Sequence, residues 1–128
     1  MYTFRPCTYG ELQQLISARH FVLQAWNLVD EGYIDGLEIV ENSEGEIIAL
    51  IYYDVDQKGM CEMNIQDFEV SPRYRRQGHG RKIIQQFLSE HPTSVNLTPL
   101  NEDVVLFWME CGFEGDILGM CFYPEEGE

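Results

Sequence analysis

The run Arg75-Arg76-Gln77-Gly78-His79-Gly80-Arg81-Lys82 constrains this chain more than any other stretch. A strand-like segment ending in Val70-Ser71-Pro72 precedes it, and an amphipathic segment carrying Ile83, Ile84, Phe87 and Leu88 follows. The chain must therefore pass from strand to helix through a glycine turn. A helix start leaves backbone amides without intrahelical partners, and residues lacking a Cβ let a ligand come close to them. Five of the eight Lys and Arg residues fall between Arg73 and Lys82, although Asp and Glu number 22 and the net charge is −14. Bare amides ringed by cations, at the positive end of a helix, make a site for a phosphate-bearing ligand.

A length of 128 residues reads as one domain, 1–128, with one core. The acidic balance argues against a nucleic-acid partner, because the basic island is too small to displace many counterions and the remaining surface repels a polyanion. It suits a compact anionic ligand, and it tilts a second ligand toward positive charge. No apolar run has the length of a membrane span, and no secretory signal is visible after Met1. Cys7, Cys61, Cys111 and Cys121 form no CxxC pair and sit in apolar or strand-like contexts. They read as reduced, buried thiols of a cytoplasmic protein rather than as disulfides or metal ligands.

The remaining pattern alternates strands and helices. Tyr2–Pro6 reads as a strand, and Thr8 with Glu11 as a capping box opening a helix through Leu12, Leu15, Ile16 and Arg19. Phe21–Val29 reads as its broken continuation. Leu37–Glu41 and Glu46–Asp54 form a hairpin around Asn42-Ser43-Glu44-Gly45, and Asp56–Gly59 is a second turn. Cys61–Val70 is the next strand, with a slip in alternation between Ile65 and Phe68 that marks a bulge. The helix after Gly78 runs to about Ser89 and stops at His91-Pro92. Ser94–Thr98 is a short strand, and Asn101 caps a helix over Val104–Cys111 that Gly112 closes. One or two strands fill Phe113–Pro124, and Glu125–Glu128 frays.

The glycine turn is neither a P-loop, which needs GxxxxGK followed by Ser or Thr, nor a dinucleotide fingerprint, since Ile83 stands where its third glycine belongs. What stands is Arg75-x-x-Gly78-x-Gly80, within Phe68–Arg81. This stretch resembles the GNAT superfamily of acyl-CoA-dependent N-acyltransferases, whose signature is Gln/Arg-x-x-Gly-x-Gly/Ala. Asn101, Val104, Trp108 and Gly112-Phe113 stand at the spacings of a second family motif. The resemblance implies an α/β fold of the α+β type: a mixed, mostly antiparallel central sheet of six to seven strands with flanking helices.

It also implies a reaction. The amine of a small molecule or peptide would attack acetyl-CoA directly, with both bound together, on a monomer or homodimer without a metal. Amides from Gln77 to Arg81 would hold the pyrophosphate, with Arg75, Arg76, Arg81 or Lys82 neutralising its remaining charge and Gly78, His79 and Gly80 forming the turn. Backbone groups of Phe68 and Val70 would pair with the pantetheine arm, and an amide near Val70 would polarise the thioester carbonyl. Asn101, Phe107 and Trp108 would wall the groove. Glu69 is the first candidate for the base, ahead of Asp67, Glu62 and Asn64; its plain alternative is a solvent-facing strand acid. Trp108 stands where many relatives carry a tyrosine that protonates the leaving thiolate, and an indole has no such proton to give. Tyr52, Tyr53 and Tyr123 are alternative donors only as strand-borne phenols, and their plain reading is half-buried packing. The departure keeps a non-catalytic acyl-CoA-binding module open as an alternative. A third reading is an interaction protein whose acids bind a basic partner.

Overall fold

The computed structural model describes residues 1–55 and 62–124. The turn expected at 56–59, the Cys61 end of the third long strand and the frayed end at 125–128 lie outside them. Seven strands form one sheet in the order β1-β2-β3-β4-β5-β7-β6. They are β1 (Thr3–Pro6), β2 (Leu37–Glu41), β3 (Ile47–Val55), β4 (Met63–Val70), β5 (Val95–Leu97), β6 (Glu114–Asp116) and β7 (Gly119–Phe122). All neighbours are antiparallel except β4 and β5. A parallel pair needs a crossover, and α2 (His79–Glu90) supplies it. The mixed, mostly antiparallel sheet expected from the sequence is the sheet observed.

Each face carries its own core. Ile83, Ile84 and Phe87 of α2 and Trp108 of α3 (Val105–Glu110) cover one face, over Ile51, Ile65, Val95 and Leu97. Leu12 of α1 (Tyr9–Ser17), with Phe21 and Trp26, covers the other, over Leu37, Ile39 and Leu50. Cys7 and Cys111 are free, buried thiols, which burial pushes up to about 11 and about 12; thiols so hard to ionise are poor nucleophiles.

One helix ends earlier than its sequence pattern indicates. The capping box forms, with Thr8 and Glu11 each accepting from the other's amide. The helix then stops at Ser17 in a left-handed turn at Arg19 (φ 56°), where His20 N–H donates to Leu15 O and Arg19 N–H to Ile16 O. This is the Schellman arrangement, formed with arginine where glycine is usual, so composition gave no stop signal. The segment that follows is a short 3-10 helix, Gln24–Leu28, rather than a continuation of α1.

Candidate functional site

β4 and β5 begin side by side and then part. They pair at Met63–Val95, Asn64–Asn96 and Ile65–Leu97 and no further. Two local features end the pairing. On β4, Tyr52 faces Asp67 while Tyr53 faces Ile65, so Gln66 is the extra residue of a bulge at the slip seen in the sequence. On β5 the chain leaves the sheet after Leu97, and Pro99 has no amide to continue a ladder.

Register decides what faces the resulting gap. Ser71 N–H donates to Ile48 O, and hydrogen-bonded pairs alternate along an antiparallel ladder. Glu69 and Asp67 therefore spend their backbone groups on β3. Those of Phe68 and Val70, which face Ile51 and Ala49, point away from β3 into the gap. One of them is already used: the Val70 carbonyl accepts from Arg75 Nε at 3.1 Å.

Two cavities meet in the gap. The outer one, about 550 Å³, runs from Phe68 and Val70 past Tyr74 to Arg75, Arg76, Gly78, His79, Gly80 and Arg81. The inner one, about 200 Å³, is bounded by Ile65, Gln66, Asp67, Leu97 and Trp108. Leu23, Phe68, Leu100, Val104 and Phe107 belong to both walls. Phe107 stacks on Phe68 with centroids 6.3 Å apart and planes 14° from parallel.

At the outer end, Arg76 (φ 65°) and Gly78 (φ 81°) are both left-handed, which turns successive amides toward one concavity. The first helical bond of α2 is Lys82 N–H to Gly78 O at 3.4 Å. The amides of Arg76 to Arg81 have no partner among the described residues. Gly78 has open space where a Cβ would stand, whereas a Cβ on Gly80 would lie 3.1 Å from Phe107 Cε1 and 3.4 Å from Val70 Cγ2. Gly80 thus lets the helix start pack against the groove wall, in addition to leaving its own amide accessible. His79 is held at the rim by a 2.7 Å hydrogen bond between Nδ1 and the Tyr2 hydroxyl.

The expected site residues separate into three groups. Phe68, Val70, Arg75, Arg76, Gly78, His79, Gly80, Arg81, Phe107 and Trp108 line the groove. Gln77 and Asn101 line neither cavity: Gln77 is an exposed residue of the turn, and Asn101 Oδ1 caps the short helix after it by accepting from Asp103 N–H at 2.9 Å. Glu69 is not a solvent-facing acid. It is 4% exposed, and its carboxylate accepts from Val22 N–H (3.0 and 3.1 Å), Leu23 N–H (3.0 Å), Trp26 Nε1–H (2.7 Å) and Arg75 Nη2–H (2.9 Å).

Glu69 still borders the outer cavity, but with both oxygens taken; Asp67, on the inner cavity, is the groove acid whose oxygens have no such donors. It sits on the inner wall with no hydrogen bond or ion pair among the described residues, and burial pushes its carboxyl from 3.8 up to about 6. Across the strand pair, the Tyr52 hydroxyl donates to the Tyr33 carbonyl, and Asp54, Asp67 and Asp35 add to its desolvation in raising its pKa. Tyr53 lies against Phe87 on the other face, donates to Glu38, and is pushed up to about 12 by burial first and by Glu38 second. Sequence reasoning missed Leu23, Leu97 and Leu100 as groove wall, because an apolar residue in a loop or short strand reads as ordinary packing. Among the described residues no cluster of His, Cys, Asp and Glu is placed to hold a metal.

The family model of the acetyltransferase (GNAT) family matches residues 3–121. The chain belongs to that family. Curated protein sequences give no match. Solved structures do. The Bacillus subtilis N-acetyltransferase YlbP, in complex with coenzyme A, is 14% identical with a TM-score of 0.64, over 97% of each chain. A chimera built on the Vibrio cholerae spermidine N-acetyltransferase is 16% identical with a TM-score of 0.66, over 95% of each chain. The ribosomal-protein-S18-alanine N-acetyltransferase of Escherichia coli is 16% identical with a TM-score of 0.65, over 100% of this chain and 97% of that one. At such identities the likeness speaks for the fold.

Proposed function

We propose that this chain transfers an acetyl group from acetyl-CoA to a primary amine by direct attack in a ternary complex. The observation that carries the reading is the open groove: amides without partners among the described residues at its outer end, outward-turned strand groups at Phe68 and Val70, and an apolar channel between them. A diphosphate fits the turn at Arg76–Arg81, where helix start and cations act together. An extended arm carrying amides fits the unpaired edge of β4 as an added strand would. This reading gives the Val70 amide, which points away from β3, the role of donor to the thioester oxygen as charge grows on it.

The amine nitrogen attacks the carbonyl carbon, the C–N bond forms and the C–S bond breaks. The thiolate leaves, and the amine loses one proton. We assign that proton to Asp67, directly or through one water, rather than to Glu69. Both oxygens of Glu69 are occupied by donors, while Asp67 faces the cavity and is raised toward the working range of a base. Acceptors with positive charge suit a protein of net charge −14; spermidine and an alanine of ribosomal protein S18 are the acceptors named for two proteins of this fold.

Trp108 favours a second reading, a non-catalytic acyl-CoA-binding module, because it puts an indole where a proton donor is expected. Calorimetry with acetyl-CoA, followed by thiol release with a panel containing spermidine and an alanine-led peptide, tests both. Binding with turnover supports the enzyme, and binding without turnover supports the module. No binding at millimolar ligand refutes both. If the indole is what limits thiolate departure, Trp108→Tyr raises kcat.

A further inference from the structure

The mechanism gives Glu69 no proton to carry, yet its buried carboxylate ties together two parts of the groove that are far apart in sequence. On one side it holds the Val22–Trp26 segment by two backbone amides and an indole. That segment places Leu23 at the junction of the inner and outer cavities. On the other side it holds Arg75, whose side chain is 49% exposed and lines the outer cavity beside the glycine turn. Arg75 spends Nε and one Nη2 donor inward. The rest of its five-donor fork has no partner among the described residues and is available to an anion.

We propose that Glu69 and Arg75 couple the two substrate sites. This rests on the reading of the outer cavity as the site of a phosphate-bearing co-substrate. A phosphate held by the outward donors of Arg75 immobilises the guanidinium. The guanidinium orients the Glu69 carboxylate, and the carboxylate fixes Leu23 and Trp26. Occupancy of the turn therefore orders the wall that the amine must pass. Linkage requires the converse: an ordered wall favours the co-substrate by the same factor. Glu69 is a positioning residue in this scheme, and it acts only through Arg75 and the Val22–Trp26 segment.

Electrostatics alone makes the opposite forecast. A carboxylate next to an anion site repels the anion, so Glu69→Gln should tighten coenzyme A binding if Glu69 were merely a nearby charge. A merely structural role would lower stability and leave the Kd of the folded protein unchanged. Coupling forecasts weaker binding, by about fivefold or more.

The test is calorimetry with coenzyme A on the full chain, wild type and Glu69→Gln, with indole-labelled proton–nitrogen spectra recorded alongside. Trp108→Phe serves to assign the two indole signals. The expected result is a higher Kd for Glu69→Gln. In the wild type, the Trp26 Nε1–H signal shifts on titration and saturates with the calorimetric Kd. In Arg75→Gln at saturating coenzyme A the shift is lost. A Kd for Glu69→Gln that is unchanged or lower overturns the coupling. So does a Trp26 signal that stays still in the bound wild type, or one that moves equally in Arg75→Gln; the latter variant keeps the test alive if Glu69→Gln does not fold. Absence of any coenzyme A binding by the wild type is a separate outcome and overturns the functional reading itself.

Discussion

Replacing Asp67 by asparagine should move activity and stability in opposite directions. In the folded protein the carboxyl titrates at about 6 because burial on the inner wall strips its water; its ordinary value is 3.8. With the folded value raised, the native state binds the proton more tightly than the unfolded chain does. Stability is then greatest below the unfolded value and falls as pH rises through the folded one. The window between 3.8 and about 6 corresponds to about 3 kcal/mol at 1.36 kcal/mol per pH unit. Asp67 lines a cavity that water enters, so screening leaves roughly 1–2 kcal/mol. Asparagine does not ionise. The variant should therefore be more stable than wild type by that amount at about pH 8 and equal to it near pH 4. For a chain of this length the gain corresponds to a Tm higher by about 4–8 °C at the alkaline end. The rate goes the other way: kcat/KM falls by about 10²–10⁴ and the acidic limb near pH 6 disappears. Thermal melts at both pH values and a thiol-release pH profile read the two effects. A variant that is less stable at alkaline pH, or one that keeps wild-type kcat/KM and its acidic limb, refutes the reasoning.

Trp26→Phe removes the 2.7 Å donor to Glu69 and should cost about 1.5–3 kcal/mol in urea unfolding, since the bond goes to a charged group. Gly80→Ala brings a Cβ to 3.1 Å from Phe107; overpacking should cost about 1–3 kcal/mol, and a ring pushed into the groove should weaken coenzyme A binding by about tenfold, read by calorimetry. Thr8→Ala breaks the capping box far from the groove and should cost about 1 kcal/mol in chemical denaturation, with coenzyme A affinity unchanged.

Local chemistry made much of the fold and the outer site readable in advance. Strand alternation located β2, β3 and β4, and the slip between Ile65 and Phe68 located the bulge at Gln66. The capping box opened α1, and the apolar stripe of α2 named Ile83, Ile84, Phe87 and Leu88 as buried. The end of α1 was hidden because arginine, not glycine, takes the left-handed position there. The two strand acids were indistinguishable on paper. Asp67 and Glu69 are two apart and share a face of β4, so strand periodicity assigns them the same environment. What separates them is the Val22–Trp26 segment, whose amides and indole occupy the oxygens of Glu69 and leave those of Asp67 without a hydrogen bond among the described residues.

The residue order by itself determined a strand, a cationic glycine turn and a helix start in succession, because backbone sterics, amide availability and charge act over a few residues. Only the tertiary structure decided which acid keeps its oxygens open to the groove, and that Leu23 reaches the gap between β4 and β5. Those choices depend on contacts between segments more than forty positions apart, and no local pattern encodes a partner that distant.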